Sequence, residues 1–222
     1  MATVVFDLDG TLADTAQDLI AAANATFEAQ GHPPQLDPLS DARTAFRGAR
    51  AMLRLGFERL GVADAAARIE QSYPETLRLY EADIARHSRF YPGALDAVAR
   101  LRALGLATAI CTNKPVGLAR KLMAELGGGQ LFDSLVGGDT LPVRKPDPAP
   151  LLLSIEHAGG AGQPAVLLGD TESDTGAARA AGIPCVLVTF GPDGKAVSAL
   201  EPAGMIDHFD RIEEVVLPLL KR

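Results

Sequence analysis

Apolar residues recur along this chain in two rhythms. Short, β-branched runs that stop abruptly at polar residues occupy the start and the second half. Ala2-Thr3-Val4-Val5-Phe6 runs into Asp7-Leu8-Asp9-Gly10-Thr11, and Leu106-Ala107-Thr108-Ala109-Ile110-Cys111 into Thr112-Asn113-Lys114. Ala165-Val166-Leu167-Leu168 runs into Gly169-Asp170-Thr171-Glu172-Ser173-Asp174. Runs of this kind form buried strands. From about Leu106 they alternate with helical stretches. Leu118–Leu126 closes at Gly127-Gly128-Gly129, Pro148–Ala158 has proline in its first turn and Gly159-Gly160 after its end, and Ser173–Ala181 stops at Gly182. Proline inside the start and glycine past the end are ordinary helix punctuation. Ile183–Phe190 is expected as a strand, Ile212–Leu220 as a terminal helix and Leu135–Gly137 as a short strand. Alternation of strands and helices implies βαβ units and a parallel sheet.

Residues 15–91 keep the other rhythm and contain no convincing strand. Leu19, Ala23 and Phe27 stand at i, i+4 and i+8 behind Asp14 and Thr15, as an amphipathic helix requires. Met52, Leu53, Leu55, Phe57 and Leu60 predict a second helix ending at Gly61. Ala63–Arg86 predicts one or two more, with Pro74 as a break or kink. Pro33-Pro34 and Pro38 mark the loop between the first two. The expected organisation is therefore an α/β core built from residues 1–14 and 92–222, with an all-helical domain, residues 15–91, inserted after the first strand.

Composition narrows the function classes. A net charge of −7 leaves no basic stripe to neutralise a nucleic-acid backbone. No apolar run approaches the ~20 residues that cross a bilayer, so neither nucleic acid nor membrane is an expected partner. The first apolar run ends at Asp7 without the basic and apolar regions of a secretory signal. Cys111 and Cys185 both lie in apolar strands, where cysteine acts as a small hydrophobe. A reducing cytoplasm is the expected setting. The four histidines show no metal-ligand spacing.

The chemistry sits at the ends of the strands. Open α/β sheets bind ligands there, and Asp7 and Asp9 would be delivered to one such end. Thr112, with Asn113 beside it, closes the second run, and Asp170 and Asp174 follow the third. Lys145 lies between them, in a segment broken by Pro142, Pro146, Pro148 and Pro150. Each has an ordinary explanation taken alone: an Asp-Gly turn, a helix N-cap, a solvated lysine, a first-turn acid. Their order argues otherwise. A carboxylate pair, a hydroxyl, a lysine and a late acidic pair resemble the haloacid dehalogenase superfamily over almost the whole chain. Within it, Asp7 to Asn24 and Tyr91-Pro92-Gly93-Ala94 resemble bacterial phosphoglycolate phosphatases.

The resemblance implies a Rossmann-like parallel-sheet core with a small helical cap, and an Mg²⁺-dependent phosphomonoester hydrolase working through an aspartyl phosphate. By the same resemblance, Asp7 is the nucleophile and Asp9 the acid and base. Asp7, Asp170 and the backbone carbonyl of Asp9 ligate Mg²⁺, with Asp174 ligating directly or orienting a metal-bound water. Thr112, Asn113 and Lys145 bind phosphate, while Lys114 and Arg144 rank lower as further cations. Arg47, in Phe46-Arg47-Gly48-Ala49-Arg50, matches substrate-contacting arginines of related caps. The implied substrate is a small phosphorylated metabolite, 2-phosphoglycolate first. A sugar phosphomutase of the same fold is the rival, although such enzymes tend to carry valine where this chain has Thr11 and histidine where it has Leu19. A dehalogenase lacks the second aspartate, Asp9. A phosphonate hydrolase needs a cap lysine, and residues 15–91 contain none. A non-enzymatic phospho-receiver has its acids in another order and no helical insert.

Overall fold

The computed structural model describes residues 1–221. Its strands and helices, in chain order, begin with β1 (Thr3–Phe6), β2 (Ala13–Asp14), α1 (Ala16–Ala29), α2 (Ala42–Ala45), α3 (Ala49–Arg59) and α4 (Ala65–Ala82). There follow β3 (Arg89–Phe90), α5 (Ala94–Ala103), β4 (Ala107–Cys111), α6 (Val116–Glu125), β5 (Ser134–Val136) and α7 (Ala149–His157). The chain closes with β6 (Ala165–Gly169), α8 (Glu172–Ala181), β7 (Cys185–Val188), β8 (Gly204–Ile206) and α9 (Ile212–Leu219). Contacts divide the chain into two compact units, Met1–Asp14 with Phe90–Arg222, and Thr15–Arg89.

The first unit is built on a six-stranded sheet of order β5-β4-β1-β6-β7-β8, parallel throughout, while β2 and β3 form a separate pair. β1, β4, β6 and β7 are buried along their whole length, as expected of parallel strands covered on both faces. Side chains alternate between the faces. Val5, Ala109, Cys111, Leu167 and Leu187 pack with Leu151 and Ile155 of α7 and Ala177 and Ala178 of α8. On the other layer α5 packs on β4, α6 on β5 and α9 on β8. β1 is central, with β4 on one side and β6 on the other. The chain therefore reverses its direction of travel across the sheet at β1, and the crevice beyond the strand ends at such a point is where α/β sheets take ligands.

Several elements lay outside the sequence pattern. α5 precedes the expected start of alternation at Leu106, yet Ala94, Ala97, Val98 and Leu101 carry its buried i, i+3, i+4, i+7 face. β8 is three residues long and too short to show a period. The strand expected over Ile183–Phe190 is confined to Cys185–Val188 because Pro184 removes a ladder donor at its start. Residues 15–91 were expected to lack strands, but Arg89–Phe90 forms β3.

The second unit is helical. α1 packs against α2, α3 and α4. Phe27 and Phe57 meet edge to face at 5.2 Å between ring centroids, and Gly56 abuts the Phe27 ring. Thr26 and Thr76 share a 2.9 Å hydrogen bond between α1 and α4. Pro74 neither splits nor ends α4, which runs unbroken past it. A mid-helix proline costs a hydrogen bond, and here the packing of α4 on α1 and α3 outweighs that loss. Asp18, buried in the first turn of α1, accepts from the backbone of His87 and Ser88 and from the Ser88 hydroxyl, at 2.7–3.0 Å.

Candidate active site

Three adjacent strands end together. β1 delivers Asp7, whose N–H still donates to Leu168 (2.8 Å), and β4 delivers Thr112, whose N–H donates to Val136 (3.0 Å). β6 ends at Gly169, and Asp170 follows. Past Asp7 the chain turns sharply: Leu12 and Ala13 donate to the carbonyl of Leu8, and Gly10 takes φ 84°, which glycine adopts without strain. Gly169 is required for another reason. A Cβ there would run into the Asp174 carboxyl, so only glycine lets β6 approach α8 this closely.

The carboxylates of Asp7, Asp170 and Asp174 are buried, with oxygens within 4.8 Å of one another. Lys145 is driven into their midst. Its side chain is 2% exposed, and its ammonium donates to Asp7 Oδ1 (2.7 Å), Asp174 Oδ1 (2.6 Å) and the carbonyl of Cys111 (2.6 Å). An ammonium has three N–H donors, and all three are committed. Lys145 is thus no solvated loop lysine. Asn113 donates from Nδ2 to the Lys145 carbonyl (3.0 Å) and so secures the segment that carries it.

Asp174 is shared. Its Oδ2 accepts from the N–H of Asp170 (3.3 Å) and from the N–H and hydroxyl of Thr171 (3.0 and 2.7 Å), which makes a capping box at the start of α8. Both of its oxygens are engaged. Asp170 Oδ1 accepts from the Thr11 hydroxyl (3.1 Å). Thr112 is buried, and its Oγ1 accepts from the N–H of Lys114 (3.2 Å).

Burial dominates the electrostatics. It pushes the Asp7 carboxyl up to about 7, with the negative charges of Asp174 and Asp9 adding to the push and Lys145 opposing it. Asp170 is held well above the ordinary carboxylate range by burial and then by Asp7 and Asp174. Burial would lower Lys145, but the carboxylates of Asp174 and Asp7 outweigh it and keep the ammonium charged. With all three acids ionised, one cation would leave an excess of negative charge, and the raised values of Asp7 and Asp170 reflect that cost. The donors are all hard oxygens, and the set fits a divalent cation that would relieve that excess.

Lys114 departs most from expectation. Ranked below Lys145 on the sequence, it is as buried as the acids, and its ammonium lies 2.7 Å from Asp9 Oδ1. Asp9 therefore faces an opposite charge as well as its acidic neighbour. A signal was present: past β4, Thr112 and Lys114 stand two apart, the spacing that places extended residues on one side, while Asn113 turns the other way to Lys145. Thr11, as a partner of Asp170, carries no mark in the sequence pattern. Arg144 shows no such role, its N–H groups joining no acid of the site, although its backbone carbonyl accepts from Asp147 (2.9 Å). In the helical unit, Arg47 is exposed on the turn after α2, before Gly48 at φ 91°. Arg50 is bound to Glu70 (2.7 Å) and lies over the Tyr73 ring.

Comparison with known proteins gives one consistent result. Residues 4–188 match the model of the haloacid dehalogenase-like hydrolases. The chain is 42% identical over 192 residues to a phosphoglycolate phosphatase of Xanthomonas campestris pv. campestris, covering 85% of this chain and 83% of that protein. It is 38% identical over 223 residues to the phosphoglycolate phosphatase of Cereibacter sphaeroides, covering 99% and 100%. Among solved structures, a predicted phosphoglycolate phosphatase of Haemophilus somnus superposes with a TM-score of 0.84 at 24% identity, covering 96% of each chain. That last likeness speaks for the fold.

Proposed function

The chain belongs to the haloacid dehalogenase-like hydrolases, and from that premise we propose that its acidic centre hydrolyses 2-phosphoglycolate to glycolate and phosphate. The observation that carries the reading is Lys145 joined to Asp7 and Asp174 beside Asp170, at the ends of β1 and β6. It is a buried site with a carboxylate nucleophile and a fixed cation, as phosphoryl transfer needs. Relatives 38–42% identical over 85–99% of the chain carry the name of this activity.

In the proposed reaction a carboxylate oxygen of Asp7 attacks phosphorus, the P–O ester bond breaks, and an aspartyl phosphate forms. Asp9 gives a proton to the leaving glycolate oxygen. It then takes a proton from the water that attacks the phosphoaspartate, which releases phosphate and restores Asp7. As phosphate enters, Lys145 turns an N–H from a carboxylate to a phosphoryl oxygen, the Thr112 hydroxyl holds another, and Asn113 secures the Lys145 segment. Asp7 and Asp170, with the carbonyl of Asp9, would hold Mg²⁺, a hard ion that takes few carboxylates. Asp174, whose oxygens accept from Lys145 and Thr171, would ligate directly or orient a metal-bound water. Bound there, Mg²⁺ would offset the phosphate charge and polarise the phosphoryl group. The helical residues 15–91 serve as the cap in this reading, with Arg47 reaching for substrate, and the reaction runs in the cytoplasm, where two unpaired buried thiols persist.

The test is a set of small phosphomonoesters offered to the purified protein. With Mg²⁺, 2-phosphoglycolate should have the highest kcat/KM, and a chelator should abolish turnover. A sugar phosphate preferred over phosphoglycolate would overturn the substrate, and full turnover in chelator would overturn the metal. Net conversion between sugar phosphate isomers would point to the mutase.

A further inference from the structure

Two lysines are buried among the described residues, Lys114 and Lys145. The reaction as proposed uses only the second, and the three donors of Lys145 are already committed. Phosphoglycolate, however, brings a carboxylate as well as a phosphate into a centre that already has an excess of acids. A further cation on the leaving-group side would offset that carboxylate.

Lys114 is in that position. Its side chain is 4% exposed and that of Asp9 is 14% exposed, and the two are 2.7 Å apart. A group that protonates the leaving oxygen must come within about 2.6–3.2 Å of it. The carboxylate carbon of glycolate is two bonds from that oxygen. With Asp9 at the ester oxygen, a substrate carboxylate turned toward Lys114 comes within reach of its ammonium. Stability gives little reason to bury this pair, because removing two charges from water costs as much as their attraction returns.

We infer that Lys114 determines specificity by binding the carboxylate of the substrate, and that Asp9 occupies its ammonium until substrate arrives. The inference rests on the phosphoglycolate reading and deepens it, since recognition would come from the α/β unit itself, two residues past Thr112. Small phosphomonoesters without a second anion would leave the Lys114–Asp9 pair in place and gain nothing from Lys114.

The experiment compares 2-phosphoglycolate with ethyl phosphate, which has a small alkyl leaving group and no carboxylate. A charge-assisted contact of this kind is worth about ten- to a hundredfold in kcat/KM. Lys114→Met should lower kcat/KM for phosphoglycolate by about that factor more than for ethyl phosphate, chiefly through KM. Lys114→Arg, which keeps the charge, should retain the preference for the carboxylated ester. Lys114→Gln repeats the comparison if the methionine variant does not fold. Equal losses on both esters would make Lys114 a positioning residue for Asp9 and overturn the inference, while the wild-type preference for phosphoglycolate still stood. A wild-type enzyme that treats the two esters alike would overturn the substrate reading, and the inference with it.

Discussion

Asp7 and Asp9 are two residues apart in a single turn, yet they meet different partners. Asp7 is enclosed with two acids and Lys145, while Asp9 sits at the edge of the centre against Lys114. Their replacement should have different consequences. Asp7→Asn keeps the shape of the side chain and removes the nucleophile. It should lower kcat by about 10⁴-fold or more, while circular dichroism and the thermal midpoint stay near wild type; near-wild-type turnover by the folded variant would remove Asp7 from the mechanism. Asp9→Asn removes the proton donor, and general acid catalysis is worth about 10²–10⁴-fold. That loss should be large for alkyl esters and much smaller for p-nitrophenyl phosphate, whose leaving group departs without a proton. A uniform loss across leaving groups would count against the acid role.

Two elements tie local structure to the site or to the helical unit. The first turn of α8 is held by Thr171, whose N–H and hydroxyl reach Asp174 Oδ2. Thr171→Ala should cost about 0.5–2 kcal/mol of stability in urea unfolding, and should also weaken catalysis because Asp174 loses one of its tethers. Unchanged stability would mean that the capping box does not support the helix. In the other unit, Asp41 accepts both guanidinium arms of Arg59, linking the start of α2 to the end of α3. The Arg59 hydrogen bonds, opposed by burial and helped by the Asp37 N–H, hold Asp41 below the ordinary carboxylate value of 3.8. A depressed folded-state value means that the unfolded chain binds the proton more readily. The stabilisation is complete above 3.8 and is lost as pH falls through the lower folded value. Asp41→Asn should therefore be less stable than wild type at pH 7, with the difference closing as pH falls from 3.8 through the lower folded value. A difference independent of pH would assign the effect to packing.

On the scale of the whole molecule, the buried excess of acid at the sheet crossover couples metal binding to folding. A cation that binds only the native state stabilises it by mass action, about 2.7 kcal/mol at a hundredfold excess over Kd. The thermal midpoint should rise with Mg²⁺ in the wild type and not in Asp170→Asn; an equal rise in both would place the ion elsewhere. The linear chain by itself determined the parallel α/β core, the helical insert and the strand ends that carry Asp7, Thr112 and Asp170, because burial on both faces forces an unbroken apolar run that must end where the chain turns polar. It also marked Lys145 and Asp174 through resemblance. It could not show that α4 runs through Pro74, since neighbouring helices decide whether a lost hydrogen bond breaks a helix. It set Lys114 two residues past Thr112 but could not show which acid Lys114 would meet. The ammonium of Lys114 and the carboxylate of Asp9 are 105 residues apart in the chain and meet only because β4 pairs with β1. Charge pairing across strands depends on register and depth of burial, and these exist only once the sheet has formed.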